Sequence, residues 1–125
     1  MPQALDRISL GKLGEDLACR ELSRRGYAVL ARRYRTRFGE IDIVCRHDDV
    51  LVFVEVKARQ SRRYGDAAEA VTRRKQRRVA AMALDYLSRA RSLDVRCRFD
   101  VVTIDGLGTE KPDVQVIEDA FPVIS

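Results

Sequence analysis

Four ionisable residues interrupt two neighbouring apolar runs: Glu40 and Asp42 in GEIDIVC, and Glu55 and Lys57 in VLVFVEVKA. Side chains alternate along a strand, so Glu55 and Lys57 share a face with Leu51 and Phe53, while Glu40 and Asp42 share a face of the preceding segment. Val50, Val52, Val54 and Val56 fill the other face, so the second run starts apolar on both sides, as a covered central strand does. Charge at the end of such a strand needs compensation. A Glu55–Lys57 salt bridge is one answer, because same-face residues two apart lie ~7 Å from each other. The other answer involves Asp42, which hairpin pairing can set beside Glu55, so that two carboxylates and an ammonium converge. Crowded carboxylates repel, and a divalent cation relieves them; oxygen-only donors favour Mg2+ or Mn2+. A cation held by Asp42 and Glu55 would polarise a phosphate and acidify bound water. Lys57 would position that water or neutralise developing charge, which together is the chemistry of phosphodiester hydrolysis.

Those residues need a scaffold, and the flanking sequence supplies one. Ser9 to Arg25 reads as a helix, with Ser9 as N-cap, Leu10, Leu13 and Leu17 at helical spacing, and Gly26 closing it. Strands are expected over Tyr27–Tyr34, Gly39–Cys45 and Val50–Ala58, with His47-Asp48-Asp49 as a hairpin-type turn, which makes an antiparallel meander. Gln60–Gly65 reads as a basic loop, and Asp66 can cap a long amphipathic helix to Arg91 carrying Val71, Val79, Met82, Ala83, Tyr86, Leu87 and Ala90 on its apolar side. Arg96–Asp105 suits a fourth strand, Gly106-Leu107-Gly108 breaks it, and Val114–Ile117 can add a short last one beyond Pro112. The expected fold is therefore α/β: helix, three-strand meander, long helix, then one or two further strands in a mixed sheet, as a single domain over 1–125.

Composition narrows the class of partner. The 125 residues suit one core, and Lys+Arg 24 against Asp+Glu 19 leaves a net charge of +5, a balance that favours polyanions. Twenty of the basic residues are arginine, whose fork suits phosphate, although high-GC codon usage gives the same bias. Cys19, Cys45 and Cys97 are odd in number and contain no CxxC, which argues against a disulfide framework or zinc cage. No apolar run approaches the ~18 residues a membrane span needs, so a cytoplasmic location without membrane is expected.

The blocks LGKLGEDLA, GEIDIV, LVFVEVKAR, EAVTRRKQRR and RFDVV, in that order, carry a resemblance. Ile41-Asp42 and Glu55-Val56-Lys57 resemble the Pro-Asp and (D/E)xK elements of the PD-(D/E)xK nuclease superfamily. Taken together the blocks are similar to the uncharacterised bacterial YraN-like family, itself similar to archaeal Holliday junction resolvases. The resemblance covers nearly the whole chain. It implies a restriction-endonuclease-like core and a Mg2+- or Mn2+-dependent endonuclease acting on DNA, including branched or Holliday junctions. It also implies Asp42, Glu55 and the Val56 carbonyl as metal ligands, Lys57 as the catalytic lysine, and Glu15 as the first-helix glutamate of the resolvase group. Two symmetric cuts in a junction would call for a homodimer. Ile41 stands where the superfamily is named for proline, with no loss of activity implied.

The remaining candidates each have two readings. Glu15 sits at the border of its helix's apolar arc, able to reach the cluster or to cap an exposed flank. Glu40 adds a ligand or is solvated. Lys75 and Arg78 share the apolar side of the long helix; their stems snorkel, or Lys75 leans over the strand ends and holds a phosphate. Arg35, Arg37, Arg59, Arg62 and Arg63 form a DNA-binding rim or simply solubilise loops. His47, the one histidine, is expected to be exposed in its turn, and Asp100 to be an ion-pair partner at a sheet edge. Two rivals to a nuclease remain: a nucleic-acid-binding module of the same fold that does not cut, and a protein-interaction role.

Overall fold

The computed structural model describes residues 7–60, 72–91 and 95–121. Helix α1 (Arg7–Arg24) already includes Ser9 in its first turn, so Ser9 does not cap it. Its other end is as expected. Gly26 takes φ +90, a conformation without penalty only for glycine, and the bonds Gly26 N–H to Ser23 O and Tyr27 N–H to Leu22 O close a Schellman motif.

Three antiparallel strands follow, β1 (Ala28–Thr36), β2 (Gly39–His47) and β3 (Val50–Arg59), each running one or two residues past its expected end. Asp48, at φ +55, makes the turn between β2 and β3 tight enough to draw His47 into the ladder. His47 is therefore not simply exposed: its ring stacks on Tyr27 at 4.1 Å.

Helix α2 (Arg73–Arg89) starts later than expected. Thr72 is extended (φ −67, ψ 163) and its side chain accepts the Lys75 N–H, so the helix cannot run unbroken from Asp66; residues 66–71 lie outside the described ones. The chain then forms β4 (Arg96–Asp105), parallel to β3, and β5 (Asp113–Ile117), antiparallel to β4, so both further strands exist. The sheet order is β1-β2-β3-β4-β5. This mixed α/β arrangement is compatible with a restriction-endonuclease-like core.

Each face of the sheet has its own core, because β3 and β4 are apolar on both sides. Phe53, Phe99, Val101 and Leu51 pack with Val79, Met82, Ala83 and Leu87 of α2. Val52, Val54, Val102 and Ile104 pack with Ala18 and Leu22 of α1. Emptying a site such as Phe53 costs about 3–5 kcal/mol. A Cβ on Gly14 would lie 3.2 Å from the Ala58 Cβ, so glycine lets α1 press its first turns onto the end of β3.

Asp100 is no edge residue: β4 is flanked on both sides, and Asp100 is fully buried. Arg98 Nε and Nη2 donate to it at 2.9 and 3.0 Å, the Tyr27 hydroxyl at 2.7 Å and the Asp119 N–H at 3.0 Å, so its charge is compensated on all sides. None of the described helices is long and apolar enough to cross a membrane.

Candidate functional site

The site forms where strand regularity fails. The β2–β3 ladder runs from His47↔Val50 to Ile43↔Val54, and one further step of that register sets Asp42 opposite Glu55. At that step a side chain takes over from the backbone: Asp42 Oδ2 accepts the Val56 N–H at 2.8 Å. On the other side of β2, Arg33 drops out of the ladder with φ 52, a conformation that costs a non-glycine residue about 1–2 kcal/mol. The strand turns over here, since Ile41 and Val44 both face the α2 core while Ile43 faces the α1 core. Strict period-two alternation, the basis for placing Asp42, does not survive this irregularity. Its carboxylate lies at the seam between β2 and β3.

Glu55 stands on the α2 face. Its Oε1 receives Lys57 Nζ at 3.5 Å and the Lys75 ammonium in direct contact. The Glu55–Lys57 salt bridge weighed from sequence occurs, with a second lysine from α2, and the charge of Glu55 acts on Asp42. Burial first, and then the negative charge of Glu55, push the Asp42 carboxyl up to about 7, against the pull of the Val56 N–H and Lys75. Lys57 is pushed below its ordinary range by burial and by the adjacent Lys75. Lys75 is lowered by burial but raised more by Glu55, and ends above its ordinary value.

A hollow of about 340 Å³ opens on the α1 side, lined by Gly11, Gly14, Glu15, Arg33, Glu40, Asp42, Val56 and Ala58. Glu15 is only 8% exposed, and both its oxygens are occupied, by Arg32 Nε at 2.7 Å and Arg33 Nε at 2.9 Å. Those two arginines were not singled out from sequence; the adjacent pair in ARRY was a visible signal for partners of a buried acid. Glu40 is exposed and pairs with Arg35 at 3.2 Å. Arg37 is exposed in the β1–β2 turn, and Arg59, at the end of β3, pairs with Asp105 at 2.5 Å. Arg62 and Arg63 lie outside the described residues.

The donor set can be tested for a hard cation. Asp42 Oδ1 and Glu55 Oε2 receive no hydrogen bond among the described residues, leaving one open oxygen on each carboxylate. No cluster of three or more His, Cys, Asp or Glu side chains suited to a metal occurs among those residues. Two carboxylates, a backbone carbonyl at Val56 and retained waters are a coordination pattern that Mg2+ accepts. A divalent charge there would offset the repulsion from Glu55 that, after burial, raises the Asp42 carboxyl.

Comparison with known proteins supplies context for this geometry. A family model described as uncharacterised protein family UPF0102 matches residues 14–104. A UPF0102 protein of Symbiobacterium thermophilum is 46% identical over 90% of this chain and 95% of its own. One from Geobacter metallireducens is 46% identical over 94% and 96%. One from Ralstonia pickettii is 48% identical over 90% of each chain.

Proposed function

The chain belongs to the uncharacterised protein family UPF0102, the YraN-like family its motifs resemble, and we propose that it is a Mg2+- or Mn2+-dependent endonuclease hydrolysing DNA phosphodiester bonds. One observation supports this above all: Asp42 and Glu55 follow the last pair of the β2–β3 ladder, each with an open oxygen among the described residues, and two lysines pair with Glu55.

A bound divalent cation would supply Lewis acidity and an acidified water. Asp42 and Glu55 would hold it, with the Val56 carbonyl completing the protein's share. The Asp42 carboxylate is fixed for this by the Val56 N–H rather than by a mobile partner. Lys57, its proton already loosened by burial, can orient a water or hand a proton to the leaving oxygen. Lys75 remains cationic and can take a non-bridging phosphate oxygen. Arg35, Arg37 and Arg59 would flank the backbone. Branched junctions are the substrate class we favour within DNA, and such cutting would use a C2 homodimer. Three free thiols, Cys19, Cys45 and Cys97, accord with a reducing, cytoplasmic location.

A second reading, a module that binds nucleic acid without cutting, is favoured by Glu55 being tied to two lysines and Glu15 to two arginines. Labelled linear, single-stranded and four-way DNA incubated with the protein in Mn2+ or Mg2+ separates the two. Cleavage abolished by EDTA and by Glu55→Ala is the expected result. Salt-sensitive binding with no cleavage in any metal would establish the module.

A further inference from the structure

Away from the carboxylates, the β1–β2 turn and the outer side of α2 enclose a second hollow, of about 530 Å³, a size within the range of small-ligand sites. Phe38 and Leu84 line it and are 40% and 59% exposed. A half-exposed aromatic at a turn tip ordinarily folds inward or moves freely, but here the backbone is pinned. The Thr36 hydroxyl accepts the Phe38 N–H at 3.0 Å and donates to the Gly39 carbonyl at 3.1 Å. The ordering cost of presenting the ring is thus met before any partner arrives.

The charge around the ring points to one class of occupant. The Arg37 guanidinium lies 4.9 Å from the Phe38 ring centroid, and a ring paired with a guanidinium plane is the surface on which unstacked bases settle. Arg89 stands across the hollow, paired with Asp85 at 3.2 Å. Asp85 Oδ2 also accepts the Tyr34 hydroxyl at 2.9 Å, while its Oδ1 has no hydrogen-bond partner among the described residues and can accept from a base amino group. Along α2, Arg74, Arg77 and Arg78 are exposed and have no acidic partner among the described residues, a track suited to phosphates.

We propose that this hollow seats one unstacked base of a single-stranded nucleic-acid segment, with Phe38 as stacking platform, Asp85 as acceptor and Arg37 as the cation for the adjoining phosphate. The proposal rests on the nucleic-acid reading above but not on cleavage. Phe38 is four residues along the chain from Asp42, about 13 Å of strand. A strand that is frayed, flapped or splayed at a branch would engage it, and a fully stacked duplex would not.

The test is binding in EDTA, where nothing can be cut. Oligonucleotides carrying 2-aminopurine, as single strands of DNA and of RNA and as a DNA duplex, are titrated with wild type, Phe38→Ala and Phe38→Tyr. We expect Phe38→Ala to weaken single-strand binding about ten-fold, the scale of one stacked base, and to abolish the fluorescence quench, while duplex binding is unchanged and Phe38→Tyr behaves as wild type. Whichever sugar shows the Phe38-dependent quench identifies the source of the strand. Equal single-strand affinity and quench in all three proteins would overturn the proposal. So would a Phe38→Ala effect confined to sedimentation, which would make the turn a protein contact. A protein that binds through Phe38 yet cuts nothing removes the nuclease reading and leaves this one standing.

Discussion

Asp42 takes the place of a backbone acceptor at the end of the β2–β3 ladder, and its carboxyl is held at about 7 chiefly by burial and the charge of Glu55. A carboxyl raised from 3.8 to about 7 binds its proton more tightly folded than unfolded. The resulting stabilisation is complete below 3.8 and is lost as pH rises through 7. In EDTA, wild type should therefore lose more of its thermal midpoint between pH 5 and 8.5 than Asp42→Asn does; equal losses in calorimetry would refute the assignment. Lys57 is partly solvated and 3.5 Å from its partner, an ion pair worth about 0–1 kcal/mol. Lys57→Ala should accordingly leave the melting curve almost unmoved while lowering cleavage at least about a hundred-fold, as the loss of one group that stabilises transition-state charge does. A large fall in thermal midpoint would instead make Lys57 a structural strut.

The elements were legible wherever one periodicity ran without interruption. VLVFVEV gave a strand covered on both faces, Gly26 gave the end of α1, and the turn at Asp48 gave the hairpin, because each rests on local sterics or alternation. Two features did not follow from such rules. The turnover of β2 at Asp42 depends on Arg33 adopting a left-handed backbone, which an arginine in a strand pattern does not announce. The start of α2 is set by Thr72, whose side chain accepts the Lys75 N–H, and a threonine inside an amphipathic pattern does not stand out as a cap when an aspartate precedes it in sequence. The Glu55–Lys75 contact itself was half legible: Lys75 was on the right side of its helix, but its partner required the tertiary arrangement. Thr72→Ala should cost about 1 kcal/mol in a denaturant titration, and Thr72→Ser should restore it. If Thr72→Ala costs nothing, the helix is capped elsewhere.

At the scale of the molecule, Glu55 and its two lysines lie on the α2 face of the sheet, while Arg98, Tyr27 and His47 form a polar cluster around the fully buried Asp100. Burial and Asp100 push the Tyr27 hydroxyl far above its ordinary range, as befits a donor to a buried carboxylate. Asp100→Ala leaves Arg98 without its partner and should cost about 3–5 kcal/mol, read as a fall in thermal midpoint and soluble yield. The basic surface makes a further claim on the whole chain. Its affinity for DNA should fall steeply and log-linearly with salt, and a salt-independent affinity would exclude phosphate contacts as the source. The proposed activity depends on Asp42 and Glu55 acting as one receptor for a hard cation. Calorimetric titration of Mn2+ into wild type, Lys57→Ala, Asp42→Asn and Glu55→Gln measures this directly. We predict saturable binding to the first two and none to the last two; no binding to wild type, or equal binding to all four, would contradict the claim.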